Sequence, residues 1–541
     1  MNGQGQFDYI IVGAGSAGCV LAERLSADGR NSVLIIEAGG PDRSPLITMP
    51  KGMARLVLDP NYAWHYPVDQ PRVPGAPASE VWLRGKTLGG SSSINGMIYV
   101  RGQPEDYDEW ARLGATGWNW SVMLSAFKAI ETHEDGAGPE HGANGPVYVQ
   151  SGKFRYPVAE ALIEAGQQMG LARREDLNVG DREGVGYYQH NIKHGRRQSA
   201  ATVFLDPARR RPNVSVLTHM RVERVLFDGR RAVGVLADCQ GVQVTHRCRR
   251  EVILSAGALE SPKLLQLSGI GPAGPLSAAG IKVVHHSPGV GRGMREHLGF
   301  SIPHRLVSVK GLNRRFRGVG LLGSLFQYYL TRTGPLATGP FEVGAFVRTS
   351  PDVARPDAQL YMGAFSFARS DGQFPVPLAS VEDVPGITAY GQLLSLTSQG
   401  EVSVRSADPA APPVITPNWL TTSEDQRSAI ALVRYMRRYM RQPALQAYVG
   451  DELVPGPHCV SDDEILNAFR IGSLCGTHAV SSCRMGSDVD AVVNPRLQVN
   501  GVEALRVVDC SVMPGLVSGN TNAPAMALAW RAAELINADG C

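Results

Sequence analysis

The stretch FDYIIVGAGSAG, residues 7–18, decides the fold of this chain. It places an apolar strand directly before a G-x-G-x-x-G turn, and a second apolar run, VLII at 33–36, ends on Glu37. A strand, a glycine-rich turn, a helix, a second strand and an acidic residue in that order predict a dinucleotide-binding β-α-β unit.

Each glycine of this turn has its own predicted role. Gly13 permits the tight turn, Gly15 leaves no side chain between backbone and pyrophosphate, and Gly18 lets the helix pack close to the strand. The helix that opens here offers free N–H groups to the phosphates. Glu37 would accept hydrogen bonds from a ribose diol. The predicted contacts within the turn are Gly13, Gly15, Ser16, Ala17 and Gly18.

Composition agrees with a large α/β enzyme and excludes several other classes. The chain has 541 residues, of which 43% are hydrophobic and 19% charged, with 61 glycines and 36 prolines. At this length, two or more domains are expected. A net charge of +3 gives no electrostatic support to nucleic acid binding. The eight cysteines are scattered, with neither C-x-x-C pairs nor metal-like spacing, so no metal site is predicted.

The start of the chain leads almost directly into the first strand, which leaves no room for a secretory signal and makes the cytoplasm the expected location. One stretch, GVGLLGSLFQYYL at 318–330, follows Arg314, Arg315 and Arg317. It is too short to span a bilayer. We expect a buried or surface-packed helix here; peripheral membrane contact is the less favoured alternative.

The order of strand-like and helix-like runs predicts two interleaved domains. The run at 214–237 alternates apolar and polar residues around a DG turn, and the run at 251–271 reads as a buried strand followed by a helix. Between about 300 and 465, short strand-like runs, proline-rich connections and a helix from Ser423 to about Arg441 indicate a different, mainly antiparallel domain. We predict a discontinuous Rossmann-type domain at 1–150, 201–300 and 466–541, and an α+β substrate domain at 151–200 and 301–465.

Further motifs give the chain a family resemblance. Together with the opening turn, they closely resemble the glucose-methanol-choline (GMC) oxidoreductases, flavoenzymes that oxidise alcohols. The resemblance covers essentially the whole chain, and its motifs occur in the family's order. They are RGKTLGGSSSINGMIYVRG at 84–102, SAGALESPKLLQLSGIG at 255–271, GTHAVSSCRMG at 476–486, VVDCSVMP at 507–514 and SGNTNAPAMALAWRAAELI at 518–536.

The resemblance implies FAD as cofactor, with the flavin at the junction of the two domains. It places Val222 at the adenine, through its backbone, and Asp509 near the ribityl and phosphate region. Asn95 and Asp509 also have simpler interpretations, as a turn residue and a helix cap. The remaining implied flavin and pyrophosphate contacts are Gly90, Asn95, Gly96, Met97, Asn520 and Ala523.

The mode of flavin attachment follows from one position. Some members of the family attach FAD covalently through a histidine just before the asparagine of the GGSSS segment. Here that position is Ile94, which offers no nucleophile. We therefore predict a non-covalent flavin.

The resemblance also implies a catalytic pair. Flavin-dependent alcohol oxidation needs a hydride acceptor, which FAD provides through N5, and a base of near-neutral pKa for the hydroxyl proton. His478 occupies the family's catalytic histidine position, although Ser481 and Ser482 replace the more usual Gly-Thr. The partner position, histidine or asparagine among members, falls on Asn522, whose amide can hold the substrate oxygen.

The substrate and the electron acceptor stay open at this level. Glu342 lies where choline-oxidising relatives have a glutamate that meets the trimethylammonium group, and Phe365, Phe367 and Trp419 are candidate apolar pocket walls. We favour an aromatic or aliphatic primary alcohol over choline. Oxygen and a quinone or protein acceptor are both possible. A hydroxynitrile lyase, which binds FAD without using its redox chemistry, is the alternative of another class.

Overall fold

A computed structural model describes residues 6–70, 80–367 and 381–539 of the chain. Two seven-stranded sheets organise them, and each sheet has a large apolar core of its own. The predicted architecture, a Rossmann-type domain combined with an α+β domain on a mainly antiparallel sheet, is confirmed.

The first sheet, called here the nucleotide sheet, contains the two strands predicted around the glycine turn. Its centre is Gln6–Val12, which pairs in parallel with Val33–Ile36 on one side and with Val242–Leu254 on the other. The long strand Val242–Leu254 changes partner along its length and continues into an antiparallel meander. In spatial order the strands are Val214–Leu217, Val33–Ile36, Gln6–Val12, Val242–Leu254, Arg231–Cys239 and Arg221–Asp228, with Leu505–Val507 also beside Val242–Leu254.

The second sheet, called the substrate sheet, is antiparallel throughout. Because Leu474–Cys475 pairs with Leu298–Leu306, this layer continues past residue 465, the boundary expected from the sequence. The strands in spatial order are Val449–Glu452, Leu298–Leu306, Gly386–Leu393, Ala358–Gly363, Val343–Val347 and Gly184–Tyr187, with Leu474–Cys475 beside Leu298–Leu306.

Two of the helices begin with side-chain caps. Ser461 and Glu464 form a capping box at the start of Asp462–Gly472, and Thr422 caps the helix that follows it by accepting from the Asp425 N–H. The helices of six or more residues are Ser16–Ser26, Pro104–Arg112, Trp120–Ile130, Pro157–Gln168, Gly257–Leu267, Ala273–Ala278, Gly318–Thr331, Ser423–Met440, Asp462–Gly472 and Asn522–Asp539. Within the described ranges, none of them is both long and apolar enough to cross a membrane.

The short strands form separate sheets of two or three strands. The short strands are Ala63–Val68, Glu80–Gly85, Glu131–His133, Val147–Ser151, Gln189–His190, Ile192–Lys193, Arg196–Arg197, Ile270–Gly271, His285–His286, Arg292–Met294, Gly400–Ser403 and Val414–Thr416. The short α-helices are Pro45–Thr48, Met53–Leu56 and Asp206–Ala208, and a π-helical turn spans Ala201–Leu205.

Candidate active site

The glycine turn has the shape that its sequence predicts. Gly13 has a φ of +100°, and a Cβ there would lie 2.5 Å from the Ser255 carbonyl oxygen. A Cβ on Gly18 would lie 2.0 Å from the Gly13 oxygen, so the helix and the strand touch at this point. A Cβ on Gly15, by contrast, would meet only the Ser255 oxygen, at 4.0 Å. The space beside Gly15 is therefore left open toward a ligand.

A single continuous cavity of ≈ 1470 Å³ runs from this turn to the motifs near the carboxyl end of the chain. Both sheets contribute to its wall, and its volume exceeds the range of about 300–1,000 Å³ for ordinary small-ligand pockets. Gly18 and Ala523 are not part of the wall. Of the predicted cofactor contacts, those that line it are Gly13, Gly15, Ser16, Ala17, Glu37, Gly90, Asn95, Gly96, Met97, Val222, Asp509 and Asn520.

Glu37 stabilises the turn itself. Its carboxylate accepts hydrogen bonds from the Ala14 N–H at 3.0 Å and from the Gly39 N–H at 2.8 Å. Burial raises the pKa of Glu37 to about 7, although these hydrogen bonds oppose the rise. Glu37 thus lines the cavity and also holds the backbone that follows each of the two strands. The sequence did not suggest this second role.

Asn95 and Asp509 likewise combine wall and scaffold roles. Asn95 Oδ1 accepts from the Met97 N–H at 3.1 Å, and Met97 has a left-handed φ of 60°. Asp509 accepts from Ser261 Oγ at 2.5 Å and from the Gly257 N–H at 2.9 Å. Asn95 is therefore also a turn residue, and Asp509 also caps a helix, as their simpler interpretations state.

His478 also lines the cavity, within a set of polar side chains. Its backbone N–H donates to Glu296 Oε1 at 2.5 Å. Its Nδ1 lies 3.1 Å from Nδ1 of His297 and 3.2 Å from the amide nitrogen of Gln392, while its Nε2 lies 3.3 Å from Nδ2 of Asn520. Burial, then the neighbouring His297 and Arg84, hold the pKa of His478 well below its usual value. The imidazole is therefore neutral at physiological pH and able to accept a proton.

The amide that faces Nε2 of His478 belongs to Asn520 and not to Asn522, the partner expected from the sequence, although Asn522 also lines the cavity. Asn522 is the first residue of the helix Asn522–Asp539, and its Oδ1 accepts from Ser16 Oγ at 2.8 Å. This bond directs the side chain toward the start of the first helix of the chain. Asn520 precedes the helix, and its Oδ1 accepts from Gln359 Nε2 at 3.2 Å, which leaves its NH₂ group toward His478.

Known proteins identify the family to which this site belongs. Residues 7–299 and 397–529 match the family descriptions of the N-terminal and C-terminal parts of GMC oxidoreductase. The chain belongs to the GMC oxidoreductases. It is 39% identical over 535 residues to an alcohol dehydrogenase [acceptor] of Pseudomonas putida, an alignment that covers 98% of this chain and 95% of the relative.

Two further comparisons show the breadth of substrates among similar proteins. An oxygen-dependent choline dehydrogenase of Brucella ovis is 39% identical over 532 residues, covering 98% of this chain and 95% of the relative. The crystal structure of pyridoxine 4-oxidase from Mesorbium loti has a TM-score of 0.87 at 30% identity and covers 98% of this chain and 99% of that one. The predicted class, an FAD-dependent oxidoreductase that acts on CH–OH donors, is confirmed.

The residues present fit FAD. The open space beside Gly15 and the helix start at Ser16, which has no side-chain cap, offer backbone N–H groups to a pyrophosphate. Gly90, with a φ of +53°, approaches so closely that a Cβ would lie 2.7 Å from the Gly15 Cα. A side chain at Gly15 or Gly90 would fill this part of the cavity, so both positions of this GMC oxidoreductase require glycine.

Glu342 does not contact the cavity, which corrects its predicted role. Its side chain is completely buried, its Oε1 lies 3.3 Å from Lys51 Nζ, and its Oε2 accepts from the Tyr156 hydroxyl at 3.1 Å. Lys51, which the sequence did not single out, lines the wall in its place. Burial lowers the pKa of Lys51, and the adjacent Glu342 opposes the change.

The predicted aromatic residues do line the cavity. Phe365 stacks on Phe341 at 5.5 Å between ring centroids and meets Phe367 edge to face at 5.5 Å. Trp419 lies 5.4 Å from Trp82 and donates to the Glu296 carbonyl at 3.4 Å. This part of the wall is apolar and rigid.

A separate cluster of His133, His141 and Asp176 has the geometry of possible metal ligands. Burial alone would lower the pKa of His141, but its hydrogen bonds to Asp176 and Glu131 outweigh that effect and raise the pKa to about 9. The ring is therefore an imidazolium between two carboxylates, at 2.8 Å from each. Its own charge takes the place that a cation would occupy, so we assign no metal here.

Proposed function

We propose that this GMC oxidoreductase oxidises an uncharged primary alcohol, aromatic or aliphatic, to the aldehyde, with FAD bound non-covalently and His478 as the base. The observation that carries the proposal is the neutral imidazole of His478, half-buried in the cavity wall, with its Nε2 facing the Asn520 amide. FAD, when bound, supplies the acceptor for the hydride of the carbinol carbon.

Amide groups face both ring nitrogens of His478: the Asn520 NH₂ group points to Nε2 and the Gln392 NH₂ group to Nδ1. To act as the base, His478 needs its lone pair on Nε2 and its proton on Nδ1. Nδ1 of His297, 3.1 Å away, is placed to accept that proton. Burial lowers the pKa of His297 to about 3, which keeps that ring neutral and able to accept.

This arrangement supports the transfer of one proton. The alcohol hydroxyl donates its proton to Nε2 of His478 as the hydride leaves the carbon. The Asn520 NH₂ group, freed from Nε2 by the substrate, donates to the substrate oxygen while negative charge develops on it. Cavity walls that exclude water strengthen both interactions, because the local dielectric is low.

Lys51 and Glu342 favour an uncharged substrate over choline, our second candidate. The Glu342 carboxylate lies behind the wall and is already paired with the buried Lys51 ammonium group. A cationic substrate would therefore find no free carboxylate at this position to offset its desolvation. The aromatic wall of Phe341, Phe365 and Phe367 suits an apolar alcohol.

The non-covalent attachment of the flavin rests on a single position. Ile94 is buried in the cavity wall where a covalent linkage would need a histidine, which supports a non-covalent flavin. Acid precipitation should release the yellow flavin into the supernatant; flavin that stays with the pellet would contradict this.

The seven cysteines within the described ranges are all free thiols, which agrees with a reducing compartment, and we place the enzyme in the cytoplasm.

The decisive experiment is anaerobic stopped-flow reduction of the bound flavin by a panel of alcohols. Benzyl alcohol and hexanol should bleach the flavin, and choline should do so much more slowly at equal concentration. Efficient reduction by choline would contradict the charge argument. A flavin that no alcohol reduces, together with cyanohydrin cleavage, would favour a hydroxynitrile lyase. Admission of air then separates oxygen from a quinone or protein as acceptor, because an oxidase recolours quickly and forms peroxide.

A further inference from the structure

The helix Gly318–Thr331, called here the surface helix, is apolar on the side that faces solvent. Its inner side packs on the protein through Leu321, Ser324, Leu325 and Tyr328. A helix that is apolar all round is expected to be buried. This one has five large side chains that are 53% to 85% exposed: Val319, Leu322, Phe326, Tyr329 and Leu330. The helix is therefore surface-packed, one of the two arrangements expected from the sequence, and its outer face is apolar.

The five exposed side chains form one continuous stripe. Their spacing of three and four residues brings them to the same side of an α-helix. Arg332 ends the helix in a left-handed conformation, with a φ of 56°, and its guanidinium group lies 5.4 Å from the Tyr329 ring. The stripe thus has a cation at its carboxyl end.

Positive charge surrounds this stripe. Residues 297–341 contain six lysines and arginines and no acidic residue. Arg314 and Arg315 are exposed just before the helix. The hairpin at 192–197, bonded to the helix where the Tyr328 hydroxyl donates to the Gly195 oxygen at 3.1 Å, adds exposed Lys193 and Arg196.

Two acidic residues near the helix are already paired. Asp383 lies 3.2 Å from Arg317, and Glu382 lies 2.7 Å from Arg305. These pairs leave the cations at both ends of the surface helix in excess.

We propose that the surface helix binds an anionic lipid membrane, lying in the interface with its stripe at the acyl boundary and the flanking cations among the headgroups. An apolar face with Phe, Tyr and Leu, bordered by Lys and Arg, is the arrangement that binds such surfaces. The helix rests on the membrane and does not cross it, because its 14 residues are too few to span the bilayer.

A second copy of the chain fits this face less well. In a two-fold dimer the same cations would meet across the interface and repel each other. The 14 residues of the helix give a face about 21 Å long and about 10 Å wide. That area of about 200 Å² is far below the roughly 800 Å² per partner that a stable interface buries.

Membrane binding here would bring the cavity close to the lipid. Phe316, two residues before the helix, lines the cavity, and so do Pro340 and Phe341 in the segment that follows it. An alcohol or an acceptor dissolved in the membrane would have a short path to the site. The binding itself does not depend on the identity of the substrate.

The test is co-sedimentation of the full-length holoenzyme with vesicles at low ionic strength. We expect binding to vesicles that contain phosphatidylglycerol, much weaker binding to pure phosphatidylcholine, and loss of binding in high salt. The double change Phe326→Asp with Leu330→Asp, and separately Arg314→Glu with Arg315→Glu, should each lower the partition coefficient at least about tenfold.

Matched controls replace exposed valines elsewhere on the surface. Val489→Asp and Val460→Asp remove side chains that are also solvent-exposed but lie far along the chain from the surface helix, and should leave vesicle binding unchanged. Flavin content and the thermal unfolding midpoint confirm that each variant is folded, without reference to substrate. Absence of binding, equal binding by the helix variants, or a dimer in sedimentation velocity that Phe326→Asp dissociates would each overturn the proposal.

Discussion

Replacement of Lys51 by methionine tests the buried ion pair behind the cavity wall. In the wild type, Lys51 and Glu342 hold one exchangeable proton between them, whether the pair is charged or neutral, so the pair adds no pH dependence to stability near neutrality. Without the lysine, the completely buried carboxyl group must be protonated in the folded protein, because burial already raises the pKa of Glu342.

The size of the effect follows from the unfolded pKa of 4.5 for Glu342. Each pH unit above that value costs about 1.4 kcal/mol, since the unfolded chain releases a proton that the folded chain keeps. Lys51→Met should therefore destabilise the protein by about 4 kcal/mol at pH 7.5 and by about 1.4 kcal/mol at pH 5.5. The stability is retained at low pH and lost as the pH rises.

Urea unfolding with saturating FAD, followed by tryptophan fluorescence at both pH values, measures this difference. The double variant Lys51→Met with Glu342→Gln should recover most of the loss, because no acid then remains to be protonated. As a control, Lys153→Met breaks a surface pair with Glu134 and should cost less than about 1 kcal/mol at either pH. An equal loss at pH 5.5 and 7.5, or a double variant as unstable as the single one, would refute the reasoning.

Four further outcomes are expected. His478→Ala should keep its flavin but lose about 10²- to 10⁴-fold in anaerobic flavin reduction by alcohol; reduction near the wild-type rate would exclude it as the base. Asn520→Ala should lower that rate about 10²-fold, whereas Asn522→Ala should mainly weaken FAD retention, which gel filtration of the holoenzyme reports. Because burial holds the pKa of His478 well below 6.5, the reduction rate should not fall between pH 7.5 and 6.0. His141→Asn leaves Asp176 without its cation, while Glu131 keeps Arg101, and should destabilise the protein by about 3 kcal/mol in urea at pH 7.

Local patterns predicted the parts of the structure that depend on neighbouring residues. The glycine turn needs Gly13 and Gly18 because backbone atoms approach them closely, and that requirement is visible in the spacing alone. The helix expected from Ser423 to about Arg441 is observed at Ser423–Met440, since its cap and apolar period lie within one stretch of sequence.

The exchange of roles between Asn520 and Asn522 shows where such patterns stop. The two residues lie in one motif, and which amide faces His478 depends on where the last helix begins. The Ser16 hydroxyl that attracts Asn522 is more than 500 residues away in sequence. No spacing rule contains that contact, so only the three-dimensional structure separates the two residues.

The partners of the buried charged and ionisable groups could not be predicted from the sequence either. Lys51 and Glu342 are separated by 291 residues, and a glutamate within an apolar run carries no sign of its partner. His297 and His478 are separated by 181 residues. For the surface helix, composition predicted either a buried or a surface-packed helix, because composition does not state which side of a helix its neighbours cover.

The attachment of the base has a mechanical consequence. Residues on both sides of His478 pair with the segment that leads into the strand Leu298–Leu306, through Cys475 with Leu298 and Val480 with Arg295. Cys475 thus ties His478 to the substrate sheet, whereas Val480 packs in the apolar core of the nucleotide sheet, to which the glycine turn belongs. His478 is therefore held across the junction of the two sheets, so a substitution at that junction would shift His478 relative to the glycine turn without altering a residue of the site.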